Sequence, residues 1–560
     1  MFSNFKRNAL AFAVGSAMLG SAHGFVVNEQ FSGNYFEPSA PGRGVIIDVV
    51  RDNAQQEFGT EVLIQWFTYR NGDPIWLFAQ GQVDQNTNVS DFDVRELTGG
   101  TFGPEFTGNF TDTVWGTASL SFNSCNSVTL TYDGADGTGT QELVPATNGD
   151  DCIIDEAFSS CPAFSSGAGG IEGTCVVGGE ISDDITLTNE TTWLIDGQLL
   201  ITDGATLTIE AGTELVGGVF GIDNLVIDQG AKIYADGTAN NPIVMRGVSA
   251  VDRGEWGGLV LNGFAPINGC SEGVDPCTAE GEGNTGTYGG NDPLDNSGVL
   301  RYVVVSNAGF QFTEEDEFNG IALQGLGSGT TIENVQVHMN ADDGIEFFGG
   351  TVNAKNLVLS GIGDDSVDWT QGWQGNVQYV VVKQYNDDGD QGIEGDNNGD
   401  ANDSLPRALP VLANMTFVGS DNADIGWLIR EGTGVAIANS VVTGFGEHCI
   451  DIDQDSTFAN VANLSIVNTI AGGCDAGTFD DADGDGFVIS SWFLGQAGNS
   501  DATPMLNNYL PMGSAPQVGN VPFANDFFEN VDFAGAIRDA SSDWTKGWTV
   551  GLDRNAPLSP

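Results

Sequence analysis

Apolar and polar positions alternate with period two in the first part of the chain. Within residues 25–148, "EVLIQWFTY" and "PIWLFAQGQ" flank "RNGD". The Asn71-Gly72 pair is a strong hairpin signal, because a two-residue turn that matches strand twist needs positive φ at both positions. "TASLSF" and "SVTLTY" form a second alternating pair. The pattern predicts a small antiparallel β-domain over residues 25–148. Residues 149–178 are rich in Gly, Ser, Asp and Cys without a period, which predicts a disulfide-containing linker.

From residue 179 to about 550 the texture is different. "TTWLIDGQLLI", "ATLTIEAGTEL" and "NLVIDQGAKIYADGT" are short strands broken by Gly, Asp and Asn. One pattern then returns in "LRYVVVSN", "IENVQVHM", "AKNLVLSG", "VQYVVVKQ", "LANMTFVG", "IANSVVTG" and "VANLSIVN". Alignment puts Val303, Val335, Leu357, Val380, Met415, Ser440 and Leu464 in one column, at steps of 32, 22, 23, 35, 25 and 24 residues. Steps of 22–25 fit one coil of a parallel solenoid, with longer steps where a loop is inserted. The leucine-rich-repeat signature is missing, and no long stretch has helical periodicity. The predicted fold is all-β: a right-handed parallel β-helix preceded by the small antiparallel domain. Asn precedes the column at 334, 356, 414, 439 and 463, which predicts an internal ladder of stacked amides.

About ten residues later a second column aligns Ile345, Val367, Ile393, Trp427 and Ile450, with side chains facing inward. Strand side chains alternate, so the next residues face outward: Glu346, Asp368, Glu394, Leu428 and Asp451. Three positions before them stand Asp342, Asp364, Asp390, Asp424 and Glu447. Coils are about 4.8 Å apart. Carboxylates about 5 Å apart repel by roughly 1 kcal/mol in water and about 3 kcal/mol at an effective dielectric near 20. A stack of acids therefore needs a bound cation, or a proton retained through a raised pKa.

Composition sharpens the choice. The formal net charge is −60, from 77 acids and 17 bases. Such a field repels nucleic acid and anionic lipid head groups and attracts cations. Residues 1–24 have the pattern of an export signal, with Lys6 and Arg7 before an apolar run and Ala22 and Gly24 at an expected cleavage point. Loss of that segment would leave a charge near −62. The expected location is outside the cytoplasm, extracellular or at the outer surface, with the periplasm an option. No stretch is long and apolar enough for a membrane-spanning helix. All eight cysteines follow the signal. Cys270 with Cys277, Cys161 with Cys175, and Cys449 with Cys474 are plausible pairs, leaving Cys125 with Cys152, though spacing alone does not fix connectivity. His338 and His448 cannot by themselves build a zinc or copper site.

Hard oxygen donors without His favour calcium as a structural ion. "DADGDG" at 481–486 matches the first half of a calcium loop, although its twelfth position is Trp492 and not Glu. The candidate metal ligands are Asp342, Glu346, Asp364, Asp368, Asp390, Glu394, Asp481, Asp483 and Asp485. Solvated Asp/Gly turns are the plainer account of each acidic loop. Trp66, Tyr69 and Trp76 are either a sugar-stacking platform or filling for a small core.

Two resemblances add to this reading. "GNYFEPSAPGRG" followed by "WFTYRNGDPIW" resembles a module recurrent in secreted proteobacterial proteins. Residues 190–470, through "WGGLVLNGFAPIN", "YGGNDPLDNSGVLRYVVVSNAG", "ADDGIEFFGGTVNAKNLV" and "GIEGDNNG", resemble secreted bacterial β-helix proteins built on the pectate-lyase-like scaffold. Many members of that superfamily bind or cleave polysaccharide, some with calcium, so the resemblance implies a glycan partner. The polygalacturonase-like members combine N-x-D, DD, G-H-G and R-x-K motifs. Here "GDDSVD" can stand for the DD, with Asp364 and Asp365, but G-H-G and R-x-K are absent. A calcium-dependent lyase needs an Arg or Lys base, for which Arg430, next to Glu431 and a possible partner for it, is the nearest residue. If the chain is an enzyme, its catalytic candidates are Asp364, Asp365, Asp368 and Arg430. Three functions are carried forward: a calcium-binding surface or matrix protein of adhesin type that binds glycan, a polysaccharide lyase or glycoside hydrolase, and a purely structural secreted protein.

Overall fold

A computed structural model describes residues 31–552, except 41, 52–59, 85–88, 100–109, 125–126, 147–160, 168–172, 219–222, 271–273, 312–316, 388 and 482–486. The expected export signal, the Cys125–Cys152 pairing and the candidate ligands Asp483 and Asp485 lie outside the described residues. The chain divides into two compact units, the first ending at Asp155 and the second running from Glu156.

The first unit is a closed antiparallel barrel of eight strands in chain order. They are β1 (Gly33–Phe36), β2 (Gly44–Arg51), β3 (Thr60–Arg70), β4 (Asp73–Asp84), β5 (Val89–Gly99), β6 (Phe110–Ser124), β7 (Ser127–Gly134) and β8 (Gly137–Pro145). β8 returns to β1, pairing Val144 with Phe36. Asn71 and Gly72 join β3 to β4 at φ of 53° and 93°, as the dipeptide predicts. Inward positions such as Ile47, Ile64, Leu77, Val94 and Leu120 are fully buried. Trp66 belongs to this core, with its ring edge-on to Trp115 at 5.5 Å.

The second unit is a parallel β-helix. Its strands stack in three sheets, and the sequence-predicted columns appear in register. Val303 pairs with Val335, Val335 with Leu357, Leu357 with Val380, and Val380 with Met415. In another sheet Ile345, Val367, Ile393, Trp427 and Ile450 stack likewise, all within 1 % of full burial. Three disulfides form as expected: Cys161–Cys175, Cys270–Cys277 and Cys449–Cys474.

The asparagine column has a different cause from an internal amide ladder. Asn334, Asn356, Asn414 and Asn439 have φ of 54°, 61°, 56° and 53°, and Tyr302 and Tyr379 take the same left-handed turn at 49° and 67°. This conformation lets the chain bend between two sheets, and Asn tolerates it better than most residues do. The side chains are directed away from the core. Asn414 Nδ2 donates to Phe533 O at 3.0 Å and Asn439 Nδ2 to Gly519 O at 2.9 Å. Asn463 is outside this column. A helix over Asp455–Ala459 and a turn over Val461–Asn463 are inserted there, so Leu464 pairs with Val435 and not beside Ser440. Asn468, at φ 53°, takes the bend position and donates to Asn439 Oδ1 at 3.2 Å.

Two outer layers cover the solenoid. Residues 505–552 run as a strap over the sheet that contains Val304, Val358 and Val381, burying them against Ala536, Ile537, Trp548 and Leu552. Each of these valines contributes roughly 1.5–3 kcal/mol once covered. On another sheet, the disulfide-closed loop and the short hairpin Ala279–Glu280/Thr287–Tyr288 cover Val226, Val260, Ala322 and Phe348. Asn414→Ala should destabilise the β-helix by about 2–4 kcal/mol, from the left-handed strain and the orphaned strap carbonyls. Asn414→Gly should be about 1 kcal/mol less harmful, since only the strain is relieved. Denaturant melts of both variants check this; equal losses would show that the backbone angle is immaterial.

Candidate cation site

The acidic columns form one surface of the β-helix. In register, Leu200, Val226, Val260, Ala322, Glu346, Asp368, Glu394, Leu428 and Asp451 stack as outward neighbours on one sheet. The column is apolar beneath the disulfide loop and turns acidic where that cover ends. The preceding turns stack as well: Asp390 N–H donates to Asp364 O, Asp424 N–H to Asp390 O, and Glu447 N–H to Asp424 O.

A second carboxylate in each turn makes a ladder of its own. Asp365 N–H donates to Asp343 Oδ1 at 3.0 Å, and Gln391 N–H to Asp365 Oδ1 at 2.7 Å. Ile425 N–H continues the series to Gln391 Oε1 at 3.1 Å. Asp365, a catalytic candidate from its motif, is thus already engaged in holding coil to coil. Asp343 was not singled out by the sequence, although the doubled Asp in "ADDG" and "GDDS" is its signal.

The outward acids are much less exposed than an outward position suggests. Glu346 and Asp368 are each 8 % exposed. Asn319, itself 4 % exposed, donates through Nδ2 to Glu346 Oε2 at 2.5 Å. Tyr288 of the covering hairpin packs edge-on to Phe348 at 6.1 Å, and its hydroxyl donates to Gln371 Oε1 at 2.9 Å. At the far end, Arg430 pairs with Glu394 at 2.7 Å and Asp396 at 3.1 Å. The neighbouring coil supplies these partners, in place of the adjacent Glu431 that the sequence suggested.

Three carboxylate groups have ligand oxygens within 4.8 Å of one another: Asp342/Asp343/Asp364, Asp343/Glu346/Asp368 and Asp364/Asp365/Asp390. They unite five of the sequence candidates and leave out Glu394, which is held by Arg430. Asp481 is elsewhere, accepting the Ser490 N–H at 3.0 Å beside the helix Ile489–Gly495. Burial, followed by the charge of neighbouring acids, pushes Asp342 up to about 7 and Asp390 up to about 6. Glu394 rises to about 7 for the same reasons, with Arg430 opposing the shift. Burial raises Asp343, Glu346, Asp365 and Asp368 well above the usual carboxylate range.

The donor set tests well for a hard cation. Every atom in the three groups is a carboxylate oxygen, which suits calcium. Asp368 Oδ1 and Asn319 Oδ1 are buried without a hydrogen-bond partner among the described residues. Such orphaned acceptors are costly unless a cation or proton faces them.

A family model for the pectate-lyase-like β-helix domain matches residues 179–475, more than half of the 560 residues. The chain belongs to this family. The pectate-lyase-like match spans all three carboxylate groups and stops before Asp481. No curated protein sequence matches the chain. Among solved structures, the periplasmic alginate epimerase AlgG is similar with 10 % identity and a TM-score of 0.28, covering 62 % of this chain and 81 % of that one. The catalytic domain of a GH87 alpha-1,3-glucanase in complex with tetrasaccharides aligns at 9 % identity and a TM-score of 0.27, covering 86 % and 97 %. At those scores neither bears on the chemistry of this chain.

Protonation has a defined direction here. Asp342 and Asp390 keep protons in the folded state that the unfolded chain releases near pH 4. Their contribution to stability is therefore full below about pH 4 and is lost as pH rises through 6 and 7. Asp136 in the barrel, lowered to about 2 by Arg70, changes only below that window. In metal-free buffer the melting temperature of the β-helix should fall from pH 5 to pH 8. A flat profile would rule out the mutual burial of these acids.

Proposed function

We propose that the chain is an exported, calcium-binding β-helix protein of the cell surface or extracellular matrix, with glycan as its partner. The observation that carries the calcium reading is the buried triad Asp343/Glu346/Asp368, with Asp368 Oδ1 left without a partner among the described residues. Asp342, Asp364 and Asp390 extend the same oxygen-rich strip along the coils. A divalent ion in this strip replaces repulsion between coils by attraction on both sides. The ion is thus structural: it ties successive coils of the acidic half together where the apolar column ends. Export agrees with the three disulfides, which form and persist in oxidising compartments. The described residues contain no helix long and apolar enough to cross a membrane.

A second reading, polysaccharide cleavage, draws on Arg430 standing beside carboxyl groups of raised pKa. The lyase version needs Arg430 to accept a proton. Burial works against its charge, but the two carboxylates that hold its guanidinium outweigh that and leave the pKa raised, so it stays a cation. A hydrolase would depend on the Asp364, Asp365 and Asp368 carboxyls, of which Asp365 is occupied in the ladder. Binding is therefore the better supported role.

Calcium at a hundredfold excess over its dissociation constant should stabilise the fold by about 2.7 kcal/mol. Chelation should lower the melting temperature at fixed ionic strength, and calcium should restore it where matched sodium chloride does not. Asp368→Asn should shrink the difference. If chelator and calcium leave the melt unchanged, the ion reading fails and the purely structural one gains. Release of reducing ends or unsaturated sugars from a polysaccharide panel, lost in Asp368→Asn, would instead establish the enzyme.

A further inference from the structure

The barrel has an outer face that its own fold does not use. In β3 the inward residues are Val62, Ile64 and Trp66, so Phe67 and Tyr69 face out. Phe67 lies directly opposite Trp76 on β4. Phe67, Tyr69 and Trp76 are 43 %, 54 % and 46 % exposed. In the same cross-strand row, Gly44 pairs with Phe67 on one side and with Phe36, 36 % exposed, on the other. A side chain at Gly44 would meet Tyr35 O at 2.8 Å, so this position has to stay bare. The row is therefore a trough one strand wide, with Phe36 on one bank and Phe67 and Trp76 on the other. Two strand spacings, about 9.6 Å, separate the backbones of its banks.

We infer that this trough is a binding site for a neutral polysaccharide, which stacks its sugar rings on Trp76, Tyr69, Phe67 and Phe36. Exposed aromatic clusters on a well-filled domain mark binding surfaces, and Tyr and Trp combine an apolar face with a hydrogen-bonding tip. The charge of the chain narrows the occupant, and the exposed aromatic row itself, which contains no carboxylate, suits an uncharged sugar face. At a formal −60, a second copy, a nucleic acid, an anionic membrane or a uronate polymer meets strong repulsion, whereas an uncharged glycan meets none. Beside Phe36, the charge of Glu37 is offset by Arg43 at 3.4 Å. This inference rests on the glycan half of the proposed function and is independent of calcium.

Affinity electrophoresis of the full chain tests it, in gels containing hydroxyethyl cellulose, galactomannan or a mixed-linkage glucan, with alginate and polygalacturonate for comparison. At least one neutral polymer should retard the protein, with or without chelator, and the acidic polymers should not. Trp76→Ala and Tyr69→Ala should each weaken retardation about tenfold. The double variant should abolish it, with an unchanged melting temperature showing that the barrel is intact. Leu294→Ala, at an exposed apolar position in the other unit, should have no effect. Failure of every neutral polymer, or retardation that survives the double variant, would overturn the site. So would self-association of the wild type in sedimentation that Trp76→Ala removes. A calcium effect on the melt without retardation would leave the ion reading standing and sink this one alone.

Discussion

Everything in the larger unit follows from one spacing. Parallel coils repeat at about 4.8 Å, so each outward side chain lies directly over its counterpart in the next coil. The arrangement multiplies whatever the position contains. Valine over leucine over valine gives a continuous core. Asparagine and tyrosine at the left-handed bend give a regular corner. Acid over acid over acid gives a column that cannot be both buried and fully charged without help. The same geometry that makes the scaffold stable thus creates its strongest electrostatic demand.

The protein meets that demand unevenly along the column. Under the disulfide-closed loop the outward residues are Val226, Val260 and Ala322. At the far end, Leu428 interrupts the acids and Arg430 neutralises Glu394. Between these two ends lie Glu346 and Asp368, buried and acidic, with Asn319 donating one hydrogen bond to the pair's edge. The acids with the least protein compensation are those with unsatisfied buried oxygens beside them.

Much of this was legible because a solenoid writes its geometry into periodic sequence. Residues one coil apart could be aligned without knowing the fold, and the Ile345 and Glu346 columns came out in register. Legibility failed where the period did. The insertion before Leu464 moved the bend from Asn463 to Asn468, and an Asn at either place reads the same in one dimension. Burial was also hidden. Glu346 faces outward by alternation, and no local pattern links it to Asn319, 27 residues earlier, which hydrogen-bonds it in the buried site. For the same reason Asp343 and Asp365 could be seen as acids but not as rungs, since their partners are backbone N–H groups of the next coil. In the barrel, alternation separates Trp66 from Phe67 and Tyr69 only once the inward face is known.

The strap over residues 505–552 has a consequence for the order in which the molecule can be completed. Val550 N–H reaches Gln336 Oε1, and Glu529 N–H reaches Gln378 Oε1. These contacts join the last part of the second unit to coils made some 150 to 214 residues earlier. A chain emerging amino end first can stack its coils one upon another as they appear. Its lateral wall, with Val304, Val358 and Val381, stays bare until the final segment arrives. A solenoid stacked in that order would be finished as a single piece only when the strap arrives, and until then its apolar flank would be open to other chains.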